Sequence, residues 1–261
     1  MKIFDCFMYN NEEMILDLRL HHLNKYIKKF IIVESKYTHQ GNLKKKFLNL
    51  KNFKKYYDKI EYYLIDEFPK KLSNWERENY QRNFLMNPIK NLNDEDYVMI
   101  SDLDEIPNLR NLKNIEKSKY TVFEQVNYSF KFNLKNITFP NWYGTRLCKK
   151  KHLRSPQWLR NQKIKKYSFL KFYKIKWNII SEGGWHFSYI MTPYEISEKI
   201  KAFGHAEYNL DKFTDIKKIQ NKINQGIDLF DRNQRYQKIQ LDSSFPKVIF
   251  ENKNKFNDWI L

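Results

Sequence analysis

The chain has 261 residues, enough for one large domain or two small ones with a substantial core. It carries 48 Lys and Arg against 30 Asp and Glu, and its hydrophobic share of 41% excludes a disordered basic tail. No apolar stretch is long enough to span a membrane. Two isolated cysteines, Cys6 and Cys148, favour a reducing compartment. Because the first residues run straight into a strand pattern, we expect no signal peptide or membrane anchor, and a cytoplasmic protein.

The first hundred residues alternate between strand and helix patterns. Strands are predicted over Ile3–Phe7, Phe30–Val33, Ile60–Ile65 and Tyr97–Ser101. One helix, capped by Asn10 or Asn11, is predicted where Leu16, Leu20, Leu23 and Ile27 share a face, and a second over Trp75–Leu85. Strands that alternate with helices predict a largely parallel sheet of the α/β class.

The pattern changes after Pro107. Tyr120–Phe132 and Ser168–Trp177 alternate like strands with one exposed face, and helices are predicted over Tyr194–Phe203 and Lys217–Arg232. The chain has no repeat and no linker rich in glycine or proline. We therefore expect one continuous domain over residues 1–261, in which 206–261 form a C-terminal helical segment.

Three acids follow the strand Tyr97–Ser101, namely Asp102, Asp104 and Glu105. Residues i and i+2 of a strand project from the same face, so Asp102 and Asp104 are expected to point together. Mg²⁺ and Mn²⁺ prefer oxygen ligands and often bridge to substrate phosphates, and open α/β sheets bind ligands at the carboxyl ends of strands. The pattern predicts a metal–diphosphate site, and a solvated turn with an acidic helix cap is the simpler alternative.

A histidine stands among aromatic residues in the segment Gly183-Gly184-Trp185-His186-Phe187. Two glycines allow backbone conformations that other residues avoid, and an imidazole in such surroundings needs a partner. A neutral His186 is suited to complete the coordination of a metal or to donate to a diphosphate. A core histidine bonded to a carbonyl is the alternative.

Two further positions are suited to contact a nucleotide. On the helix Trp75–Leu85, Glu78 and Arg82 lie at i and i+4 and can pair, while Arg77 lies on another face. Surface ion pairing explains these arginines about as well as phosphate contact does. Glu34 ends an apolar strand, where it either accepts hydrogen bonds from a ribose or base edge or simply terminates the strand.

Positive charge is concentrated in the middle of the chain. From Gln125 through Ser181 there are 14 Lys and Arg and no Asp or Glu. Such a block attracts an anionic partner, such as a sugar nucleotide, an acidic glycan, nucleic acid or an anionic membrane surface. A lysine-rich face exposed only to solvent explains the block equally well.

These segments, in this order, resemble glycosyltransferase family 17, typified by the β-1,4-mannosyl-glycoprotein β-1,4-N-acetylglucosaminyltransferases. The resemblance rests on Asp5-Cys6-Phe7, Asn11-Glu12, Val33-Glu34, Trp75-x-Arg77-Glu78, Gln81-Arg82, Ser101–Pro107, Gly183–Ser188 and Ala202–Tyr208. It implies a GT-A fold, a UDP-sugar donor (UDP-GlcNAc in typical members), Mn²⁺ or Mg²⁺, a glycan acceptor and inversion at the anomeric carbon.

The resemblance also implies roles for particular residues, with the nucleotide sugar bound by residues 1–107 and the acceptor by 108–205. Asp102, Asp104 and His186 would hold the cation. The donor would be contacted by Phe7, Asn11, Glu34, Arg77, Arg82, Asp102 and Leu103. Trp142, Trp158 and Trp185 are candidates for stacking on sugars, although burial in the core is the commoner role.

Inversion by direct displacement needs a carboxylate that takes the proton from the acceptor hydroxyl. Between Glu105 and His186 the acids are Glu116, Glu124 and Glu182. Glu116 lies in a polar loop, so Glu124 and Glu182 are the candidates. Glu182, beside the two glycines, is slightly preferred, and Glu105 is held in reserve.

Two other functions compete with sugar transfer. A nucleic-acid-binding protein would explain the net charge of +18 and the interleaved aromatic residues, but no nucleic-acid motif is recognisable and no specific nucleic-acid partner is expected. A metal-dependent phosphoesterase would use an acidic cluster, but a two-metal centre usually needs more ligands than the sequence places within reach.

Overall fold

The computed structural model describes residues 1–110, 115–164, 175–202 and 205–261. Its strands are β1 (Ile3–Met8), β2 (Lys29–Ser35), β3 (Ile60–Ile65), β4 (Tyr97–Ser101), β5 (Glu105–Pro107), β6 (Tyr120–Ser129), β7 (Leu134–Asn136), β8 (Asn141–Lys149), β9 (Trp177–Ile180), β10 (Gly184–Ser188) and β11 (Tyr236–Lys238). Its helices are α1 (Glu13–Leu23), α2 (Asn74–Phe84), α3 (Met86–Ile89), α4 (Pro156–Asn161), α5 (Pro193–Ala202), α6 (Asp211–Thr214), α7 (Ile216–Asn224) and α8 (Lys247–Glu251).

The strands of the described residues form one mixed sheet in an α/β fold. β3, β2, β1 and β4 run parallel, as the alternation of strands and helices predicts. Beyond β4 the direction changes, because β8 pairs antiparallel with β4 and then with β6. β10 runs parallel to β6 and antiparallel to β5. The expected largely parallel sheet is therefore confirmed for the first half, whereas the second half is mixed.

Strand β1 shows how the sheet is covered on both faces. Successive side chains of a strand point to opposite faces, so Ile3 and Phe7 pack in the cluster that contains α1, while Phe4 and Cys6 pack in the cluster that contains α3. A third cluster joins α5 and α7 near β7. None of the helices in the described ranges combines the length and apolarity that crossing a membrane requires.

Several predicted boundaries are wrong. Helix α1 follows Glu12 and ends at Leu23, and neither Asn10 nor Asn11 caps it. The helix predicted over Lys217–Arg232 ends at Asn224, because Gly226 turns the chain with a φ of +61°. β11 also lies in the segment that was expected to be helical. The predicted strand Ser168–Trp177 falls almost entirely outside the described residues.

Asp5 and Arg19 form an ion pair that is fully buried between β1 and α1. Arg19 donates from Nε and Nη2 to the carboxylate of Asp5 at 2.8 and 2.7 Å. Its Nη1 donates to three carbonyl oxygens of the turn after β4, those of Asp102, Leu103 and Glu105, at 3.2, 3.1 and 2.8 Å. One buried guanidinium thus fixes the backbone from which the predicted metal ligands project.

We expect Arg19→Met to lower the free energy of unfolding by about 3–5 kcal/mol, because it leaves the buried carboxylate of Asp5 without its partner. Urea denaturation measures the change. Lys255→Met is the matched control, since Lys255 pairs with Asp17 of the same helix at the surface and should cost no more than about 1 kcal/mol. Equal losses in the two variants would contradict this interpretation.

Candidate active site

A cleft of about 650 Å³ opens at the carboxyl ends of the parallel strands. Tyr9 after β1, Ser35 at the end of β2 and Asp102 after β4 line one side of it. His186 of β10 and residues that follow β6 line the other side. Ligands of open α/β sheets bind at this edge, and the volume lies within the range of pockets that hold cofactor-sized molecules.

Asp102 and Asp104 lie on a turn between β4 and β5, and Glu105 is the first residue of β5. The N–H of Glu105 donates to the carbonyl of Asp102 at 3.1 Å, and the N–H of Asp102 donates to the Glu105 carboxylate at 3.0 Å. The expectation that Asp102 and Asp104 share a strand face is therefore wrong, because β4 ends at Ser101. Both side chains nevertheless line the cleft, because the turn carries them there.

Asp102 is bound by two arginines. Arg160 Nη2 lies 2.8 Å and Arg82 Nη2 lies 3.2 Å from its carboxylate oxygens. Burial alone would raise the pKa of Asp102, but the charges of Arg160 and Arg82 outweigh it and hold the pKa well below its usual range. Asp102 is therefore an anion whose two oxygens each contact a guanidinium.

Arg160 also forms a two-pronged ion pair with the fully buried Glu105. Its Nη1 and Nη2 donate to the two carboxylate oxygens of Glu105 at 2.8 and 2.9 Å, and Nη1 donates to the carbonyl of Gly144 at 3.0 Å. A Cβ on Gly144 would lie 2.9 Å from the carboxyl carbon of Glu105, so glycine permits this approach. This planar geometry suits arginine rather than lysine.

Asp104 faces His186 across the cleft, with 3.7 Å between Oδ1 and Nε2. Asn127 orients the imidazole. Its Nδ2 donates to the carbonyl of Phe139 at 3.2 Å, so its Oδ1, 3.1 Å from His186 Nδ1, accepts from that nitrogen. In the neutral imidazole, the lone pair of Nε2 then points towards the Asp104 carboxylate.

The two glycines before His186 allow close strand pairing. A Cβ on Gly184 would lie 2.2 Å from the carbonyl oxygen of Ile106 in β5, and its φ of +129° also favours glycine. A Cβ on Gly183 would lie 2.9 Å from the backbone nitrogen of Glu124 in β6. The glycines therefore let β10 bring His186 against the turn that carries Asp104.

These residues fit a divalent cation that is shared with a phosphate ligand. The Asp104 carboxylate and the Nε2 lone pair of His186 are both Lewis bases, and they face each other beyond hydrogen-bonding distance. Within the described ranges no three His, Cys, Asp or Glu side chains cluster as a complete metal site. The protein would supply two ligands and the substrate the rest, as is usual for Mg²⁺ bound with nucleotide phosphates.

Comparison with known proteins identifies the family. The model of glycosyltransferase family 17 matches residues 1–237. The chain belongs to glycosyltransferase family 17. This confirms the resemblance that the motifs carry.

Relatives of this family include the β-1,4-mannosyl-glycoprotein 4-β-N-acetylglucosaminyltransferases of Homo sapiens, Rattus norvegicus and Mus musculus. Each is 28% identical to the chain over 116 residues. That stretch is 41% of this chain and 22% of the relative, so the match spans less than a quarter of the length of these enzymes.

Among the residues expected to contact the donor, three line the cleft, namely Arg82, Asp102 and Leu103. The other four, which are Phe7, Asn11, Glu34 and Arg77, do not. Phe7 is buried beneath Arg19, whose guanidinium lies 4.7 Å from the ring centre. Asn11 is exposed, with a left-handed φ of 61°, and its neighbours Asn10 and Glu12 line the cleft instead.

Glu34 and Arg77 support a loop of the cleft rather than lining it. The buried Glu34 carboxylate binds Lys44, the Tyr62 hydroxyl at 2.8 Å and the N–H of Leu48 at 2.9 Å. Arg77 donates to the carbonyl of His39 at 2.9 Å. The loop between β2 and β3 that these bonds hold contributes Tyr37, Thr38, His39 and Lys44 to the cleft.

Neither glutamate proposed as general base lines the cleft. Glu182 lies on an exposed turn, and Glu124 lies beside Asn141, whose Nδ2 donates to it at 3.3 Å. The reserve candidate Glu105 is fully buried. Its carboxylate accepts hydrogen bonds from Arg160 and from Trp142 Nε1, the latter at 2.7 Å. The structure therefore does not support these assignments.

The tryptophans differ in exposure. Trp142 is 40% exposed, lines the cleft and stacks on His186 with 4.8 Å between ring centres. Trp185 is buried against His22, and Trp158 packs against Tyr120. Trp142 alone of these three therefore stays a candidate for contact with an acceptor.

The partners that organise the site were not predicted from the sequence. Arg160 contacts Glu105, Asn127 contacts His186 and Lys199 contacts Glu12, and the two members of each pair are far apart in the chain. One signal was present for Arg160, because it belongs to the acid-free basic block and the nearby acids must find cations.

Proposed function

We propose that this chain is a metal-dependent, inverting glycosyltransferase of the GT-A type that transfers GlcNAc from UDP-GlcNAc to a hydroxyl of a glycan acceptor. Membership of glycosyltransferase family 17 and the activity for which its relatives are named support sugar transfer. The observation that carries the proposal is the pair Asp104 and His186, which face each other in the cleft at the end of β4.

Asp104 and His186 would hold Mn²⁺ or Mg²⁺. The bound cation supplies positive charge next to the departing UDP, which is worth several kcal/mol of transition-state stabilisation. Asn127 holds the imidazole so that Nε2 faces the cleft. Arg160 and Arg82 keep Asp102 ionised, and together with Arg19 they fix the turn, so that the Asp104 carboxylate is preorganised.

Trp142 is the residue that we propose for acceptor contact. Its Nε1 is held by Glu105, and its ring is stacked on His186, so the ring is rigid and lies next to the proposed metal ligands. An exposed, fixed aromatic face is suited to pack against the C–H face of a sugar ring. Trp142→Ala should raise the KM for the acceptor more than the KM for the donor.

The proposal is tested by incubating the protein with UDP-GlcNAc, Mn²⁺ and a panel of glycans, and by detecting released UDP together with a glycosylated product. NMR of the new anomeric centre gives the stereochemistry. Because the donor is α-linked, a β-linked product is expected for inversion. An α-linked product, or transfer that persists undiminished in EDTA, would contradict the proposed mechanism.

We expect Glu124→Gln and Glu182→Gln each to keep kcat within about threefold of the wild type, because a general base is worth roughly 10²–10⁴-fold and neither side chain reaches the cleft. The measurement is initial-rate kinetics with saturating donor. A loss of a hundredfold or more in either variant, with an unchanged melting temperature, would restore that residue as the base.

A further inference from the structure

A lysine of helix α5 lines the cleft and forms an ion pair with Glu12, the residue that precedes α1. Helix α5 begins with a reciprocal cap, in which Thr192 and Glu195 each accept from the other's N–H, at 3.3 and 2.9 Å. Its residues Ile196 and Ile200 are fully buried against α7. The helix is thus anchored at two points, and it directs Lys199 into the cleft.

Lys199 contacts a residue from the other end of the chain. Its Nζ lies 2.7 Å from the carboxylate of Glu12, with side chains that are 20% and 9% exposed, respectively. The ammonium also lies 5.1 Å from the centre of the Tyr189 ring, which lines the same cleft. The cation is therefore partly desolvated, and its contacts are a carboxylate and an aromatic face.

The same pair lies within the field of Asp104. Burial raises the pKa of Glu12, and the Asp104 carboxylate raises it further, against the lowering effect of Lys199. Burial would lower the pKa of Lys199, but Glu12 and Asp104 outweigh it, so the lysine stays charged. A phosphate group held beside Asp104 would therefore find a charged ammonium in the same part of the cleft.

Glu12 differs from the partners of the other basic side chains that line the cleft. Lys44 pairs with the buried Glu34, and Arg82 and Arg232 pair with carboxylates that also hold backbone or neighbouring side chains in place. Glu12 occupies the cap position of α1 without a side-chain cap bond. The helix dipole favours a carboxylate at that position, which offsets part of the cost to Glu12 of losing Lys199.

We propose that Lys199 is a phosphate-binding residue of the donor site, and that it exchanges the Glu12 carboxylate for the diphosphate when the donor binds. This inference rests on the proposed function, because it assumes a nucleoside diphosphate sugar in this cleft. Lys199 would add a positive charge next to the phosphates, and Glu12 would be its partner only in the free protein.

The test compares the affinity for UDP, in the presence of Mn²⁺ and at fixed ionic strength, by isothermal titration calorimetry. Lys199→Gln should weaken binding by about 10–100-fold, the value of a hydrogen bond to a charged group. Glu12→Gln should bind UDP at least as tightly as the wild type, because it removes the competing carboxylate. Lys201→Gln, on the same helix but paired with Glu198 at the surface, should bind within about twofold of the wild type.

The opposite effects of the two substitutions separate phosphate binding from a structural role. If the ion pair only ties α5 to the loop before α1, both Lys199→Gln and Glu12→Gln will weaken binding and lower the melting temperature together, which overturns the inference. Uridine, which lacks phosphate, should bind Lys199→Gln and the wild type alike. A wild type that binds no UDP would instead overturn the proposed function, and the inference with it.

Discussion

Asp104→Asn should reduce kcat/KM for sugar transfer at saturating Mn²⁺ by about a thousandfold, with little change in melting temperature. The loss of charge stabilisation on the leaving group amounts to several kcal/mol, and each 1.36 kcal/mol is about tenfold in rate. The fold should tolerate the change, because Asp104 lines the cleft and its carboxylate lies 3.7 Å from His186 Nε2, beyond hydrogen-bonding distance. Steady-state kinetics with a Mn²⁺ titration measure the effect.

Asp94→Asn is the matched control for Asp104. Like Asp104→Asn, it removes one acidic charge close to β4. Asp94, however, precedes the strand, pairs with Lys150 and is 69% exposed, so the variant should have the kinetics of the wild type. If Asp104→Asn kept more than about a tenth of wild-type kcat/KM, and its activity persisted in EDTA, the assignment of Asp104 to the metal would be wrong.

Arg160→Met is expected to have the second-largest effect, about a hundredfold or more in kcat, together with a loss of stability of about 3–5 kcal/mol. It leaves the buried Glu105 without its two-pronged partner and Asp102 with one arginine instead of two. Arg160 is a positioning residue, since it binds the acids that flank Asp104 rather than Asp104 itself. Arg160→Lys should recover part of the stability, because it keeps a charge but loses the planar geometry.

The pH profile separates positioning of the turn from simple loss of stability. Arg160 and Arg82 hold the pKa of Asp102 below its usual range, so in the wild type Asp102 is ionised throughout the working range. Without Arg160, only Arg82 opposes the effect of burial, so the pKa of Asp102 rises and activity should fall at a higher pH on the acid side than in the wild type. Arg154→Met removes an exposed arginine near Trp158 and should leave the acid side of the pH profile unchanged. If activity of Arg160→Met fell at the same acid pH as activity of the wild type, the role proposed for Arg160 would be contradicted.

The parts of the fold that the sequence predicted are those in which local pattern and burial agree. Tyr97–Ser101 is a strand with the predicted bounds, because an apolar run that ends in acids and proline allows few alternatives. α2 is one residue from its prediction at each end, and a Ser73–Glu76 capping box explains where it begins. The acids after β4 were recognised because folding alone gives no reason for three carboxylates beside an apolar run.

The rest of the site depends on contacts between residues that are far apart in the chain. Glu105 and Arg160 are 55 residues apart, His186 and Asn127 are 59 apart, and Lys199 and Glu12 are 187 apart. Local periodicity carries no information about such pairs. Local sequence also does not show in which direction a side chain at the end of a strand points. Glu34 was therefore assigned to the cleft, although it supports the loop between β2 and β3.

Asp5 was a local signal for a buried ion pair that was not interpreted in this way from the sequence. A carboxylate in the middle of an apolar strand needs a buried cation, and Arg19, on the following helix, is that cation. Arg19 then holds the carbonyls of the turn that presents Asp104. Strand β1, helix α1 and the acidic turn are therefore one unit, in which the packing of the fold and the geometry of the site have a common origin.

The most direct test of the proposed metal–diphosphate site is calorimetric titration of the wild type and of Asp104→Asn with UDP-GlcNAc, each in Mn²⁺ and in EDTA. The wild type should bind at least about tenfold more tightly with Mn²⁺ than with EDTA, and Asp104→Asn should lose that difference. Equal affinity of the wild type in Mn²⁺ and EDTA, or a Mn²⁺ effect that survives in Asp104→Asn, would show that the donor does not bind through a cation at this turn.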